Sequence, residues 1–167
     1  MSQDWTRDAF LARFGGVFEH SAWVAEDAWD RRSAADCRTA PTLHAVMVAA
    51  MRDAARERQL ALINAHPDLA GRLAMAGRLT PESTKEQQSA GLAFLTDEEK
   101  ARFTELNDAY KARFGFPFIM AVKGRSKDEI LEAFVRRLKH GADEEFATAL
   151  DEIEKIALFR LRDLLPE

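Results

Sequence analysis

The residue best suited to proton chemistry in this sequence is His66, which directly precedes Pro67. The proline ring pushes the preceding residue out of the α region, so His66 should stand where one helix stops and present its imidazole from non-helical backbone. Pro67 also suits the first position of a new short helix, which would set His66 near that helix's positive end and favour the neutral, proton-accepting ring. A carboxylate or an anionic ligand nearby would push the other way. On its own, a His-Pro pair describes a turn cap equally well, and the neighbouring motifs have to decide.

Three further groups could work with it. On a helix, Ser83 shares a face with Glu86 and Gln87 at spacings of three and four, so three polar side chains could converge on one small ligand. Ser83 and Glu86 also fit a capping box on an exposed first turn, although Thr80-Pro81 already supplies a helix start three residues earlier. The apolar loop Gly115-Phe116-Pro117-Phe118-Ile119-Met120 follows a helix stop, and its main chain must find partners or a ligand because Pro117 cannot donate. Such a loop either walls a dry pocket or serves as a buried connector. Arg160 lies amid Ile156, Leu158, Phe159 and Leu161. Its guanidinium must reach solvent along a stem laid on the core, or pair with something and offer two-pronged recognition of a carbonyl or carboxylate.

His20, His44 and His140 are weaker candidates, and His140 before Gly141 reads as a helix C-terminal residue facing the dipole. No two histidines stand at i, i+4 and there is no His-Glu-x-x-His, so no metal site is expected. The single cysteine, Cys37, excludes an internal disulfide and a cysteine zinc cluster, and reads as a buried thiol.

The elements that must position these residues are helical, because turn and cap signals dominate and no alternating β-branched run marks a strand. An all-α fold is expected, with one compact domain over residues 1–167 and about seven to eight helices. Helices are expected at 5–14, ending at Gly15-Gly16, and at 18–31 with Phe18, Trp23 and Trp29. A long one over 42–65 follows Pro41, its stripe formed by Leu43, Val46, Met47, Ala50, Met51 and Ala54. Shorter helices should cover 68–75 and the segment from Thr80-Pro81 to Gly91. Thr96 to Glu99 is a capping box with Leu95 as its staple, starting a helix that stops near Gly115. Ser126 to Glu129 is a second box, for a helix running to His140-Gly141, and a last helix spans 143–164.

Composition narrows the partners. With 47% hydrophobic and 31% charged residues the chain is an ordinary globular protein, and its net charge of −4 offers nothing to nucleic acid or anionic lipid. Apolar runs are too short to cross a membrane, and the N-terminal residues do not form a secretory signal. The C-terminal residues are not a peroxisomal address, and the single cysteine makes a reducing cytoplasm the expected location.

Together the motifs resemble the 2-oxo-4-hydroxy-4-carboxy-5-ureidoimidazoline (OHCU) decarboxylase family of urate breakdown. The resemblance is carried by Phe14-Gly15-Gly16-Val17-Phe18-Glu19-His20-Ser21-Ala22-Trp23, by His66 to Gly71, and by Leu79-Thr80 through Ser83 to Glu86-Gln87. It continues in Ala90-Gly91-Leu92, Leu106-Asn107-Asp108-Ala109-Tyr110, Arg113-Phe114-Gly115-Phe116-Pro117-Phe118, Lys123-Gly124-Arg125-Ser126 and Arg160-Leu161. Ala22 departs from the proline that relatives often carry there. The resemblance implies an all-helical, homodimeric, cofactor-free enzyme that turns OHCU stereospecifically into (S)-allantoin with loss of carbon dioxide. It makes His66 the catalytic acid/base and Glu86 its partner. Pro67, Ser83, Gln87, the main chain of Phe118, Ile119 and Met120, and Arg160 would bind substrate. Such a substrate carries its own conjugated C=N and carbonyls as an electron sink, so neither an organic cofactor nor a metal is called for.

Two other readings fit the same residues. A hydrolase of a ureido or cyclic amide compound would use His66 and Glu86 to activate water and would release ammonia or a ring-opened acid. A non-enzymatic helical binding module would lack a tight small-molecule site, and (S)-allantoin would leave His66 unperturbed.

Overall fold

A computed structural model describes residues 5–66 and 96–166, and these fold into seven α-helices and one 3₁₀ turn with no strand among them. The helices are α1 (Arg7–Phe14), α2 (Trp23–Arg31), α3 (Ala40–Asp53), α4 (Arg56–Ala65), α5 (Asp97–Phe114), α6 (Lys127–Arg137) and α7 (Ala142–Arg162). The expected all-α class is therefore observed. The helices expected at 68–75 and after Thr80, and the Leu95 staple, lie outside the described residues.

Residues group into two units, 1–65 with 153–167, and 66–152. In the first, α2 packs on α3 and on α1. Thr6 caps α1 by accepting from the Ala9 N–H, and Phe10 and Phe14 are fully buried, meeting edge to face at 5.0 Å. Leu43, Met47 and Met51 form the buried stripe of α3, each burial worth roughly 1.5–3 kcal/mol. Val46, Ala54 and, on α1, Leu11 are only half-buried. Thr39 caps α3, with Pro41 in its first turn, where the missing N–H costs no helical bond.

Two expectations need correction here. The segment 42–65 is two helices, because Ala54 is extended (φ −70°, ψ 155°). No proline or glycine marks the break. It is held by the Gln59 side-chain amide, which donates to the carbonyls of Met51 and Arg52, both at 3.1 Å, and so satisfies acceptors that a continuing helix would have used. The segment 18–31 becomes helical only at Trp23. His20 has a left-handed backbone (φ 47°), which no α-helix passes through, and the Ser21 hydroxyl donates to the Glu19 carbonyl.

The second unit packs α5 against α6 around Phe103, Tyr110, Phe118 and Phe134. The capping box at Thr96 is complete: its hydroxyl accepts from the Glu99 N–H at 3.1 Å and Glu99 accepts from the Thr96 N–H at 3.0 Å. Gly115 ends α5 in the left-handed conformation (φ 77°) that glycine adopts without strain. Ser126 caps α6 as expected, but the helix stops at Arg137, three residues short of His140. There the chain tightens into i→i+3 bonds, Lys139 to Arg136 and His140 to Arg137, and His140 turns to a carboxylate.

Candidate active site

His66 stands where the pre-proline constraint puts it, one residue beyond the end of α4 at Ala65. It continues the helical register of the fully buried Leu62 and Ile63 and is itself only 3% exposed. A titratable ring at this depth is removed from bulk water.

The loop after α5 has a more elaborate support. Pro117, Phe118 and Ile119 are buried and Met120 is half-buried. The Phe118 ring belongs to the core, stacked on Phe134 at 3.7 Å and meeting Tyr110 edge-on at 5.3 Å. The Ile119 carbonyl accepts from Arg137 Nη1 at 2.6 Å, and the Ala121 N–H donates to Glu152 at 3.2 Å.

Arg137 is buried, with its guanidinium over the Phe118 ring at 4.3 Å and its Nε donating to Glu145 Oε1 at 2.7 Å. Glu145 is saturated from three sides, since Oε1 also accepts from the Tyr110 hydroxyl at 2.7 Å and Oε2 accepts from His140 Nδ1 at 2.9 Å. Burial, followed by the bond to Glu145, holds the Tyr110 hydroxyl well above the ordinary tyrosine pKa, so it stays a donor. Arg137 Nη2 has no hydrogen-bond partner among the described residues.

Arg160 belongs to the other unit and is buried at 3% exposure. Of the two options open to it, it pairs: Nη1 donates to Glu19 Oε2 at 2.9 Å and to the Val17 carbonyl at 3.1 Å. Glu19 is itself 1% exposed and lies in the turns that precede α2.

Of the residues expected to act together, the structure thus places His66, Phe118, Ile119, Met120 and Arg160, while Pro67, Ser83, Glu86 and Gln87 lie outside the described residues. His44 gives its ring nitrogen to the Glu154 carbonyl at 2.8 Å, and His140 serves Glu145, not a helix dipole. Among the described residues no three histidine, cysteine or acidic side chains gather as metal ligands. Cys37 is buried as expected, and burial raises its thiol pKa. Sequence reasoning passed over Glu19, Arg137 and Glu145. For the last two the signal was register: Arg137 continues the buried stripe Ile130, Ala133, Phe134 of α6, and Glu145 lies four residues before the buried Ala149.

The family model described as OHCU decarboxylase matches residues 3–162. A 2-oxo-4-hydroxy-4-carboxy-5-ureidoimidazoline decarboxylase of Haloferax volcanii is 45% identical over 93% of this chain and 89% of its own. The uric acid degradation bifunctional protein PucL of Bacillus subtilis is 44% identical over 92% of this chain, which spans only 30% of that protein. Among solved structures, an (S)-allantoin synthase superposes with a TM-score of 0.76 at 34% identity, over 96% of this chain and about half, 51%, of that one. An OHCU decarboxylase crystallised in the presence of (S)-allantoin shares the fold, with a TM-score of 0.70 at 24% identity over 89% of this chain and 94% of that one.

Proposed function

The chain belongs to the OHCU decarboxylase family, and from that premise we propose that it decarboxylates OHCU to (S)-allantoin in urate breakdown. It works in the cytoplasm as a cofactor-independent homodimer, with residues 1–167 acting as one functional domain. The observation that carries this reading is the burial of His66 at the end of α4, immediately before Pro67.

In the proposed reaction the bond between the ring carbon and its carboxylate breaks, carbon dioxide leaves, and the electron pair passes into the conjugated C=N, whose nitrogen takes up a proton from solvent. The hydroxyl on that carbon gives up its proton and becomes a carbonyl. A proton then adds to the ureido-bearing carbon from one face, which fixes the S configuration. His66 moves the proton and Glu86 orients it. Pro67, Ser83, Gln87 and the main chain of Phe118 to Met120 hold the ring and the ureido group in place. Arg160 meets a neutral carbonyl or the charge that develops on the ring. Its pairing with Glu19 supports that role, because an arginine already balanced by a carboxylate is a weak clamp for a substrate anion. Strong binding of the carboxylate would stabilise the ground state and slow its loss.

The test is to supply freshly generated OHCU and follow the circular dichroism of the product. Production of (S)-allantoin with carbon dioxide, faster than the spontaneous decay, is expected. Racemic allantoin forming at the uncatalysed rate overturns the proposal, and released ammonia would point to a hydrolase.

A further inference from the structure

We infer that Arg137 is a positioning residue for this reaction: by fixing the Ile119 carbonyl it aims the Met120 N–H at the substrate. The inference rests on the reading that the main chain of Phe118 to Met120 holds the substrate, and adds how that main chain is set.

The peptide between Ile119 and Met120 is trans, as are all those described, so its C=O and N–H point in opposite directions. Arg137 Nη1 grips the carbonyl side at 2.6 Å. The N–H of Met120 therefore faces away from the buried ionic cluster. On either side of the stretch Phe118 to Met120 the main chain offers no free donor, since Pro117 has no N–H and the Ala121 N–H is taken by Glu152 at 3.2 Å. One peptide plane is thus held by its carbonyl while its donor is presented.

The construction of the cluster argues for placement over mere cohesion. A buried ion pair is seldom better for stability than apolar side chains of the same volume. Here Tyr110 and His140 both donate to Glu145, Glu145 in turn fixes Arg137 Nε, and the Phe118 ring supports the guanidinium plane. All of these contacts restrict the orientation of one guanidinium, whose remaining bond runs to a single loop carbonyl. A planar fork does this where a lysine ammonium cannot, because lysine has no second rigid donor to reach past Glu145.

The experiment uses the whole chain labelled with nitrogen-15 methionine. Only five methionines are present, and Met120 is assigned by the amide signal that disappears in Met120→Leu. On titration with (S)-allantoin, the Met120 amide is expected to shift together with the His66 ring signals. Arg137→Lys should weaken the Met120 shift and raise KM for OHCU about fivefold to tenfold, the effect of one misplaced amide hydrogen bond. Tyr110→Phe keeps the ion pair and removes one donor to Glu145, so it should change KM in the same direction by less, even if Arg137→Lys fails to fold. A purely structural role predicts a lower melting temperature with KM unchanged, and that result in folded Tyr110→Phe overturns the inference. A His66 shift without a Met120 shift also overturns it and leaves the site reading standing. If neither signal moves and OHCU is not consumed, the site reading falls and takes the inference with it.

Discussion

A buried guanidinium needs a counter-charge, and for Arg160 that is Glu19. Neutralising Glu19 as Glu19→Gln leaves the cation in the core with a weaker acceptor, and urea denaturation should show a loss of about 3–5 kcal/mol. Glu19→Asp, which keeps the charge, should recover part of it. At His66 the expectation is the reverse, with chemistry lost and fold kept. His66→Asn should melt close to the parent while kcat for OHCU falls about a hundredfold or more, the usual share of a positioned acid/base. Parent-like kcat in the folded variant would remove His66 from the mechanism. The position of His66 just past a helix end was legible in the sequence because proline disfavours helix at the residue before it. Glu19 was not, because an acidic residue in a run of turns looks solvated until Arg160 is seen to reach it.

The helices were legible wherever a cap or a glycine acts locally. The Thr96 box and the Gly115 stop are satisfied by groups within three or four residues, so the sequence alone specifies them. Thr96→Ala should lower stability by about 1 kcal/mol, read from chemical denaturation. Glu99 adds a pH dependence to the same turn. The Lys127 ammonium first, and then the Thr96 N–H, hold its carboxyl below the ordinary glutamate pKa. Its contribution is therefore complete above that ordinary value and disappears as pH falls through the lowered one. The acid limb of a pH–stability profile should be shallower in Glu99→Gln than in the parent. The break between α3 and α4 was not legible. It depends on a glutamine reaching back seven and eight residues to two carbonyls at the end of α3, and Gln59→Ala should cost roughly 1 kcal/mol.

Across the whole chain, the missing strand signals and the 3.6-residue stripes led to the all-α class, which the described residues bear out. What patterning could not supply is the identity of polar groups on buried faces. Arg137 and Glu145 follow helical register yet break the apolar code, and only their mutual contact explains why folding tolerates them. No described helix is long and apolar enough to cross a membrane. The proposed homodimer predicts that sedimentation equilibrium will give twice the mass of one chain, and a value fixed at one chain across concentrations would refute it. Tyr110 has a practical consequence, for it is the only tyrosine in the chain and its hydroxyl is buried on Glu145. It is a built-in optical reporter. Stability should be unaffected by this group below about pH 10 and decline above it, since the unfolded chain releases the phenolic proton that the folded one keeps. In an alkaline titration the ultraviolet absorbance of tyrosinate should therefore rise only as the protein unfolds, giving a label-free signal of when the cluster around Glu145 comes apart.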